Sequence, residues 1–162
     1  MDVAVIGDTH IPSRAHTIPS PFRERIETAD HVIHTGDFDT EGTLANVRAM
    51  ASRLTAVAGN MDRRMGLPDV ATVDLGGVTF VVTHGTGSRS GYETRVANVV
   101  REAAGPDAVG VAGHTHEVLE TVHDDVRLLN PGSATGASPA DRATMLTVRV
   151  AGGELDVTVH EV

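Results

Sequence analysis

The chain has 162 residues and a mass of 17.0 kDa, which predicts a single domain, residues 1–162, with enough chain to bury a core. Its 40% hydrophobic and 22% charged residues exclude a disordered or fibrous protein. Cysteine is absent and all 13 basic residues are arginine, which excludes disulfides, thiolate nucleophiles, Schiff-base lysines and lysine-dependent phosphate loops.

The net charge of -9 and the scarcity of aromatic residues limit the expected partners. A nucleic acid is not expected as a tight partner, because it attracts basic surfaces and stacks on exposed rings. Residues 1–6 are too few and too soon followed by polar residues for a signal peptide, and no apolar run approaches the roughly 20 residues that span a bilayer. We therefore expect a cytoplasmic protein without membrane contact, and a homo-oligomer is compatible with the sequence.

Short apolar runs rich in Val, Ile and Ala recur along the chain, and each stops at a polar cluster. They predict strands at residues 3–6, 31–34, 54–58, 78–82 and 108–112, buried on both faces because they lack polar alternation. Segments with helical spacing lie between them, at residues 21–29, 41–51 and 92–104. Gly105 and Pro106 end the last of these helices.

Hairpins dominate the rear half of the chain. Residues 70–75 and 78–82 flank Gly76-Gly77, residues 118–122 and 126–129 flank an Asp-Asp pair, and residues 144–150 and 154–160 flank Gly152-Gly153. A βαβα front half followed by hairpins predicts an α/β fold with mixed sheets. We expect two sheets packed face to face with helices outside.

The polar clusters at five strand ends contain only metal-ligating side chains. These candidate ligands are Asp8, His10, Asp37, Asn60, His84, His114 and His116. Open α/β sheets place their sites at carboxyl strand ends, so we expect these side chains to converge. In isolation, Asp8 is equally well explained as a helix cap and Asn60 as a turn residue.

Seven ligands exceed the three or four of a mononuclear zinc site and suit two metal ions. Ligation by nitrogen and oxygen without sulfur favours divalent Mn, with Ni, Fe, Zn, Co or Mg as alternatives.

In this order, the motifs Gly7-Asp8-Thr9-His10, Gly36-Asp37, Gly59-Asn60, Thr83-His84-Gly85 and Gly113-His114-Thr115-His116 resemble those of the calcineurin-like metallophosphoesterases. The short chain and the segment 130–133 are similar to the compact YfcE-like phosphodiesterase subgroup. The resemblance implies a four-layer α/β/β/α sandwich.

The same resemblance implies a ligand set for each metal. One ion would be held by Asp8, His10, Asp37 and His116, and the other by Asp37, Asn60, His84 and His114, with Asp37 bridging. It further implies in-line attack on a phosphodiester by a hydroxide between the metals. Asp37, Asn60 and His84 would then act in catalysis through that hydroxide.

One position departs from the family pattern. The wider family has a histidine after the asparagine of the third motif, where this chain has Met61 followed by Asp62. Methionine cannot transfer a proton, so we expect modest turnover that favours good leaving groups. Asp62 is a candidate replacement proton donor, provided that it lies near the metals and is protonated.

Other polar residues near the motifs have weaker interpretations. His34 and Asp39 are candidates to orient the ligands, and a solvated loop is an equal alternative for Asp39. Arg63 and Arg64 either steer an anionic substrate or form a solvated face. Residues 130–133 are expected to shape a turn near the site.

Three functions fit these features. The first is a metal-dependent phosphodiesterase that acts on a small phosphodiester. The second is a metal-binding scaffold for protein interactions with little catalysis, since Met61 is unusual and the retromer vacuolar-sorting subunit shares the implied fold. The third is a two-metal hydrolase of other esters or amides.

Overall fold

The computed structural model describes all 162 residues, as ten strands and three helices. The strands are β1 (Asp2–Ile6), β2 (His31–His34), β3 (Leu54–Ala56), β4 (Val70–Leu75), β5 (Val78–Thr83), β6 (Val109–Val111), β7 (Val118–His123), β8 (Val126–Pro131), β9 (Thr144–Ala151) and β10 (Glu154–Glu161). The helices are α1 (Ser20–Thr28), α2 (Glu41–Met50) and α3 (Tyr92–Ala104).

The strands form two five-stranded mixed sheets. The first has the order β10-β9-β1-β2-β3, in which β1, β2 and β3 are parallel and β9 and β10 run antiparallel to their neighbours. The second has the order β4-β5-β6-β8-β7, in which β5, β6 and β8 are parallel and the outer strands are antiparallel. The three predicted hairpins are therefore present.

Burial divides the molecule into layers. A cluster of 14 buried aliphatic and aromatic residues, among them Val5, Phe80 and Leu146, fills the space between the sheets. A second cluster joins α1 and α2 to the outer face of the first sheet, and a third joins α3 to the second sheet. The predicted α/β/β/α sandwich is confirmed. None of the helices has the length and apolarity needed to cross a bilayer.

Helix boundaries follow local chemistry. The side chain of Thr40 caps α2 by accepting a hydrogen bond from the Thr43 amide at 3.2 Å. In α3, Val96 and Val100 are four residues apart and both buried against the second sheet. The sequence therefore specifies which helical face is covered.

Two strand ends differ from the prediction by two residues, and the other strand ends agree within one residue. The third strand stops at Ala56 rather than residue 58, because the Ala58 amide turns away to the Pro68 carbonyl at 2.9 Å. β8 continues to Pro131, two residues beyond its predicted end, because Asn130 and Pro131 still pair with β7. Half of the segment expected to form a turn is therefore strand.

The five motif loops emerge from the carboxyl ends of parallel strands in both sheets. Backbone hydrogen bonds join neighbouring loops within each sheet: the Asp8 amide donates to the Gly36 carbonyl at 2.9 Å, and the Gly113 amide donates to the His84 carbonyl at 3.0 Å. Across the two sheets, the His114 amide donates to Oδ2 of Asp8 at 3.0 Å. These bonds bring residues far apart in sequence to one edge of the molecule.

Candidate metal centre

The predicted ligands lie on loops that follow five strands. Asp8 and His10 follow β1, Asp37 follows β2 and Asn60 follows β3 in the first sheet. His84 follows β5, and His114 and His116 follow β6 in the second sheet. All seven residues except Asn60 and His114 are buried, and those two are partly exposed.

Asp8, His10 and His116 form one group of three facing ligand atoms. Oδ1 of Asp8 lies 3.5 Å from Nε2 of His116 and 4.0 Å from Nε2 of His10. The two histidine nitrogens are 3.2 Å apart. This spacing leaves the three atoms aimed at a common point.

Asp37, His84 and His114 form the other group. Nε2 of His84 lies 3.2 Å from Oδ2 of Asp37 and 3.3 Å from Nδ1 of His114. The same Asp37 oxygen is 3.4 Å from Nε2 of His10 in the first group. Oδ2 of Asp37 therefore lies between the two groups.

Each of the four histidines uses its outward ring nitrogen to bind a fixed oxygen. In three of them this nitrogen is Nδ1: it binds Asp39 Oδ1 at 2.9 Å in His10, the Thr35 carbonyl at 2.7 Å in His84 and the Ala137 carbonyl at 2.8 Å in His116. In His114 the outward nitrogen is Nε2, which binds the Gly87 carbonyl at 3.0 Å. Because these oxygens only accept, the outward nitrogen of each neutral ring carries the hydrogen. The inward nitrogen then presents its lone pair to the site, as in a metal ligand.

The donor set fits cations. Nitrogen lone pairs of His10 and His116 that face each other at 3.2 Å repel unless positive charge lies between or beside them. Oδ1 of Asp8 and Oδ1 of Asn60 are buried without a hydrogen-bond partner, although buried polar atoms are normally satisfied. A divalent ion in the first group would satisfy the facing nitrogens and Oδ1 of Asp8. Asn60 lies beside Asp37, because the amide of its neighbour Met61 donates to Oδ1 of Asp37 at 2.9 Å, so its Oδ1 is available to an ion in the second group.

The pKa values agree with a site that stabilises positive charge. Burial raises the pKa of Asp8 to about 7, and the neighbouring His84 only partly offsets this. Burial also opposes the charged form of Asp37, but the hydrogen bond and charge of a protonated His84, the Met61 amide and the charge of His10 together outweigh it and lower the pKa of Asp37 to about 2. The two carboxylates in turn raise the pKa of His84 against its burial.

The loops hold their side chains in strained backbone conformations. Asp8, His10, Asp37, His114 and His116 have φ angles of 48°, 43°, 62°, 77° and 61°. Such values are unfavourable for residues with a Cβ atom and concentrate at functional sites. Strain at five of the seven predicted ligands indicates that their positions are maintained by the surrounding structure.

Two glycines are required because a ligand carboxylate lies against their backbone, and not because of the type of turn they form. A Cβ atom on Gly113 would lie 2.8 Å from Oδ2 of Asp8, and one on Gly59 would collide with Oδ1 of Asp37. Both carboxylates therefore occupy space that only glycine leaves open.

The profile of the calcineurin-like phosphoesterase superfamily domain matches residues 1–153. The chain belongs to this superfamily. A curated relative from Methanothermobacter thermautotrophicus, named "Probable metallophosphoesterase", is 30% identical over 161 residues, which are 98% of this chain and 91% of the relative.

Solved structures of Vps29 share the calcineurin-like fold. Vps29 of Entamoeba histolytica complexed with Zn²⁺ is 28% identical with a TM-score of 0.79, covering 100% of this chain and 98% of that one. Vps29 of Chaetomium thermophilum has a TM-score of 0.83 at 23% identity, covering 99% and 96%, and has also been solved with a cyclic peptide. At that identity the second similarity shows the fold alone.

Asp62 has a geometry unsuited to the proton donor considered from the sequence. Its buried carboxylate accepts hydrogen bonds from the amides of Asp37 at 2.6 Å, Phe38 at 3.0 Å, Asp39 at 3.0 Å and Gly59 at 2.9 Å. Both oxygens are thus occupied by N–H donors, and a proton on either one would meet another hydrogen. The residue ties the Asp37 loop to the loop after β3.

The two residues predicted to orient ligands have different surroundings. Asp39 binds Nδ1 of His10 and accepts a hydrogen bond from Ser13, so it is not part of a solvated loop. His34 is fully buried and stacks on Phe38 with ring centroids 3.6 Å apart. Burial lowers the pKa of His34 to about 3, and its Nδ1 accepts from the Gly36 amide at 3.0 Å. His34 therefore supports the backbone beside Asp37 as a neutral ring.

Sequence reasoning missed the hydrogen bonds that support the first and last motifs. Asn130 donates to the Gly113 carbonyl at 3.2 Å and to Thr115 Oγ1 at 3.0 Å, and Tyr92 donates to the same carbonyl at 2.6 Å. Ser133 donates to the Asp8 carbonyl at 2.7 Å. The asparagine and serine lie in the segment 130–133 already singled out, whereas no sequence signal marks Tyr92.

Proposed function

We propose that this superfamily member hydrolyses phosphodiesters with two divalent metal ions, Mn²⁺ first among them. The observation that carries the proposal is the position of Oδ2 of Asp37, 3.4 Å from Nε2 of His10 and 3.2 Å from Nε2 of His84. An oxygen so placed can bridge two ions, and paired ions about 3.5–4 Å apart are the usual arrangement for in-line displacement at phosphorus.

The ligands divide into two sets in this proposal. Asp8, His10, Asp37 and His116 hold one ion, and Asp37, Asn60, His84 and His114 hold the other. The ions supply water activation and charge neutralisation at the phosphoryl group. The protein supplies the geometry, because each histidine lone pair is fixed by the oxygen behind the ring.

The leaving group receives no evident help from the residues after Asn60. Met61 is 46% exposed and cannot donate a proton, and the carboxylate of Asp62 is engaged with backbone amides. Esters with acidic leaving groups, which depart without protonation, are therefore the favoured substrates.

Hydrolysis of bis-p-nitrophenyl phosphate by the Mn²⁺-loaded protein tests the proposal. Asp37→Asn removes a negative charge from the bridging position, and we expect it to lower kcat/KM by more than about 100-fold, the upper end of the cost of outer-shell changes. Asp107→Asn is the matched control, since Asp107 is exposed and precedes β6, at the end of the strand opposite its motif loop. Equal rates for wild type and Asp37→Asn, or no hydrolysis by either, would contradict the proposal.

A scaffold with little catalysis is the second candidate, favoured by the similarity to Vps29 structures and by the exposed Met61. Under this alternative, the wild-type protein would bind two ions per chain by calorimetry and still leave the diester intact. p-Nitrophenyl acetate in the same assay separates a general ester hydrolase from a phosphodiesterase.

A further inference from the structure

A cavity of about 430 Å³ opens beside Asn60. Residues 60–65 form most of its wall, together with Asp39 and Glu41. Two of these residues connect it to the candidate metal centre: Asn60 is a predicted ligand, and Asp39 binds His10. A substrate whose phosphorus lies at the centre can therefore extend an ester arm into this cavity.

Arg63 and Arg64 are the cations of the cavity, and both are exposed. Neither forms an ion pair or a side-chain hydrogen bond, whereas arginines at four other positions pair with carboxylates. Other arginines of the chain are also unpaired, but Arg63 and Arg64 are its only two consecutive arginines, so two free guanidinium groups lie side by side in the sequence here.

None of the three carboxylates of the cavity pairs directly with these arginines. Asp62 is occupied by backbone amides, and Asp39 is bound to His10 and Ser13. Glu41 is the remaining carboxylate, and it lies in the first turn of α2, where the helix N-terminus stabilises negative charge. The N–H donors of both guanidinium groups therefore remain available to an anion that enters the cavity.

We propose that Arg63 and Arg64 bind a second phosphate group, carried by the ester arm of the diester substrate. This rests on the proposed function and names its substrate class: a phosphodiester whose arm bears a phosphate monoester. A phosphate monoester carries close to two negative charges at neutral pH and accepts paired hydrogen bonds from guanidinium groups. Met61 and Met65 provide apolar wall for the part of the arm between the two phosphates.

Two substrates that differ only in this group test the proposal. Thymidine 5′-(p-nitrophenyl phosphate) and its 3′-phosphorylated form have the same scissile bond and the same leaving group. We expect the wild-type protein to prefer the 3′-phosphorylated form in kcat/KM by about tenfold, the effect of one or two charge-assisted hydrogen bonds at an open site. The preference should shrink as ionic strength rises.

The double variant Arg63→Gln/Arg64→Gln should hydrolyse the two substrates equally. Arg48→Gln/Arg53→Gln changes the net charge by the same amount at exposed arginines without ion pairs, and should keep the preference. The control variant should also retain the wild-type rate on bis-p-nitrophenyl phosphate, which lacks the second phosphate.

The outcomes separate this proposal from the proposed function. Equal kcat/KM for the two thymidine substrates in the wild type, with bis-p-nitrophenyl phosphate still hydrolysed, would overturn the arginine subsite and leave the hydrolase intact. If no substrate is hydrolysed, titration of thymidine 3′,5′-bisphosphate followed by amide NMR shifts decides the matter. Shifts at residues 63 and 64 that are lost in the double variant support the subsite, and their absence overturns it.

Discussion

Nε2 of His10 and Nε2 of His116 lie 3.2 Å apart, although the residues are separated by 106 positions in the chain. The outward nitrogens of both rings are bound to oxygen acceptors, Asp39 Oδ1 and the Ala137 carbonyl. Two loops from different sheets are thus held together with their lone pairs facing each other. A cation held by both nitrogens would remove the repulsion and link the two sheets.

Metal binding should therefore stabilise the fold. We expect Mn²⁺ in excess of its dissociation constant to raise Tm, and chelation to lower it, because an ion that binds only the folded state stabilises it by mass action. At 100 times the dissociation constant the gain is about 2.7 kcal/mol. Calorimetric melts with and without EDTA measure it.

His116→Ala should remove most of this Mn²⁺-dependent rise in Tm. His123→Ala is the matched control, because His123 lies on the outer edge strand β7 and bonds only to Thr94 and Asp124 nearby. Equal metal-dependent shifts in the two variants would contradict the assignment of His116 as a ligand.

Asp62→Asn should destabilise the protein. The amide side chain places an NH₂ group against backbone N–H donors that now bind a carboxylate, so we expect the free energy of unfolding to fall by about 2–4 kcal/mol. Urea unfolding measures the loss, with Asp107→Asn as the control. Unchanged stability, together with a strongly reduced kcat for substrates with poor leaving groups, would instead indicate that Asp62 is a proton donor.

Asp39→Ala should weaken metal binding without unfolding the protein. The substitution frees Nδ1 of His10, so the ring can rotate or change tautomer, and outer-shell losses of this kind cost about 10–100-fold in metal affinity. Ser13→Ala removes the other partner of Asp39 but leaves the bond to His10. Titration calorimetry should show a weakened first site in Asp39→Ala and near-normal affinity in Ser13→Ala.

His34 should make the stability of the metal-free protein depend on pH. Burial lowers the pKa of the folded-state ring to about 3, below its ordinary value of 6.5, so between these values the unfolded chain binds more protons than the folded one. The contribution of the neutral ring to the free energy of unfolding is therefore fully present above about pH 6.5. It declines as the pH falls below this value, by at most about 1.4 kcal/mol per pH unit for one group.

The measurement compares unfolding free energies at pH 5 and pH 7.5 for the wild type and for His34→Asn. The variant should be less stable at pH 7.5 but lose less on acidification. Identical pH dependence in both proteins would show that another group carries the effect.

Local sequence patterns determined the secondary structure and the identity of the candidate ligands. The aliphatic runs ending in Gly-Asp, Gly-Asn and Gly-His predicted strands followed by tight loops, because buried strands need continuous apolar side chains and the loops need glycine at close approaches. The confirmed α/β/β/α layering followed from the order of helices and hairpins. These features depend on residues near one another in the chain, which a sequence displays directly.

Tertiary structure decided what surrounds each ligand. Whether Asp62 can donate a proton or instead accepts hydrogen bonds from the amides of residues 37–39 depends on a loop 23 to 25 positions away in the chain. The carbonyls of Thr35, Gly87 and Ala137, which orient three histidines, carry no side-chain signature, since every residue has the same backbone oxygen. The sequence also does not show whether a carboxylate pairs with Arg63 or Arg64, because such a partner can come from any part of the chain. Such relationships arise only when the two sheets pack together, because packing alone sets which polar groups lie within hydrogen-bonding distance.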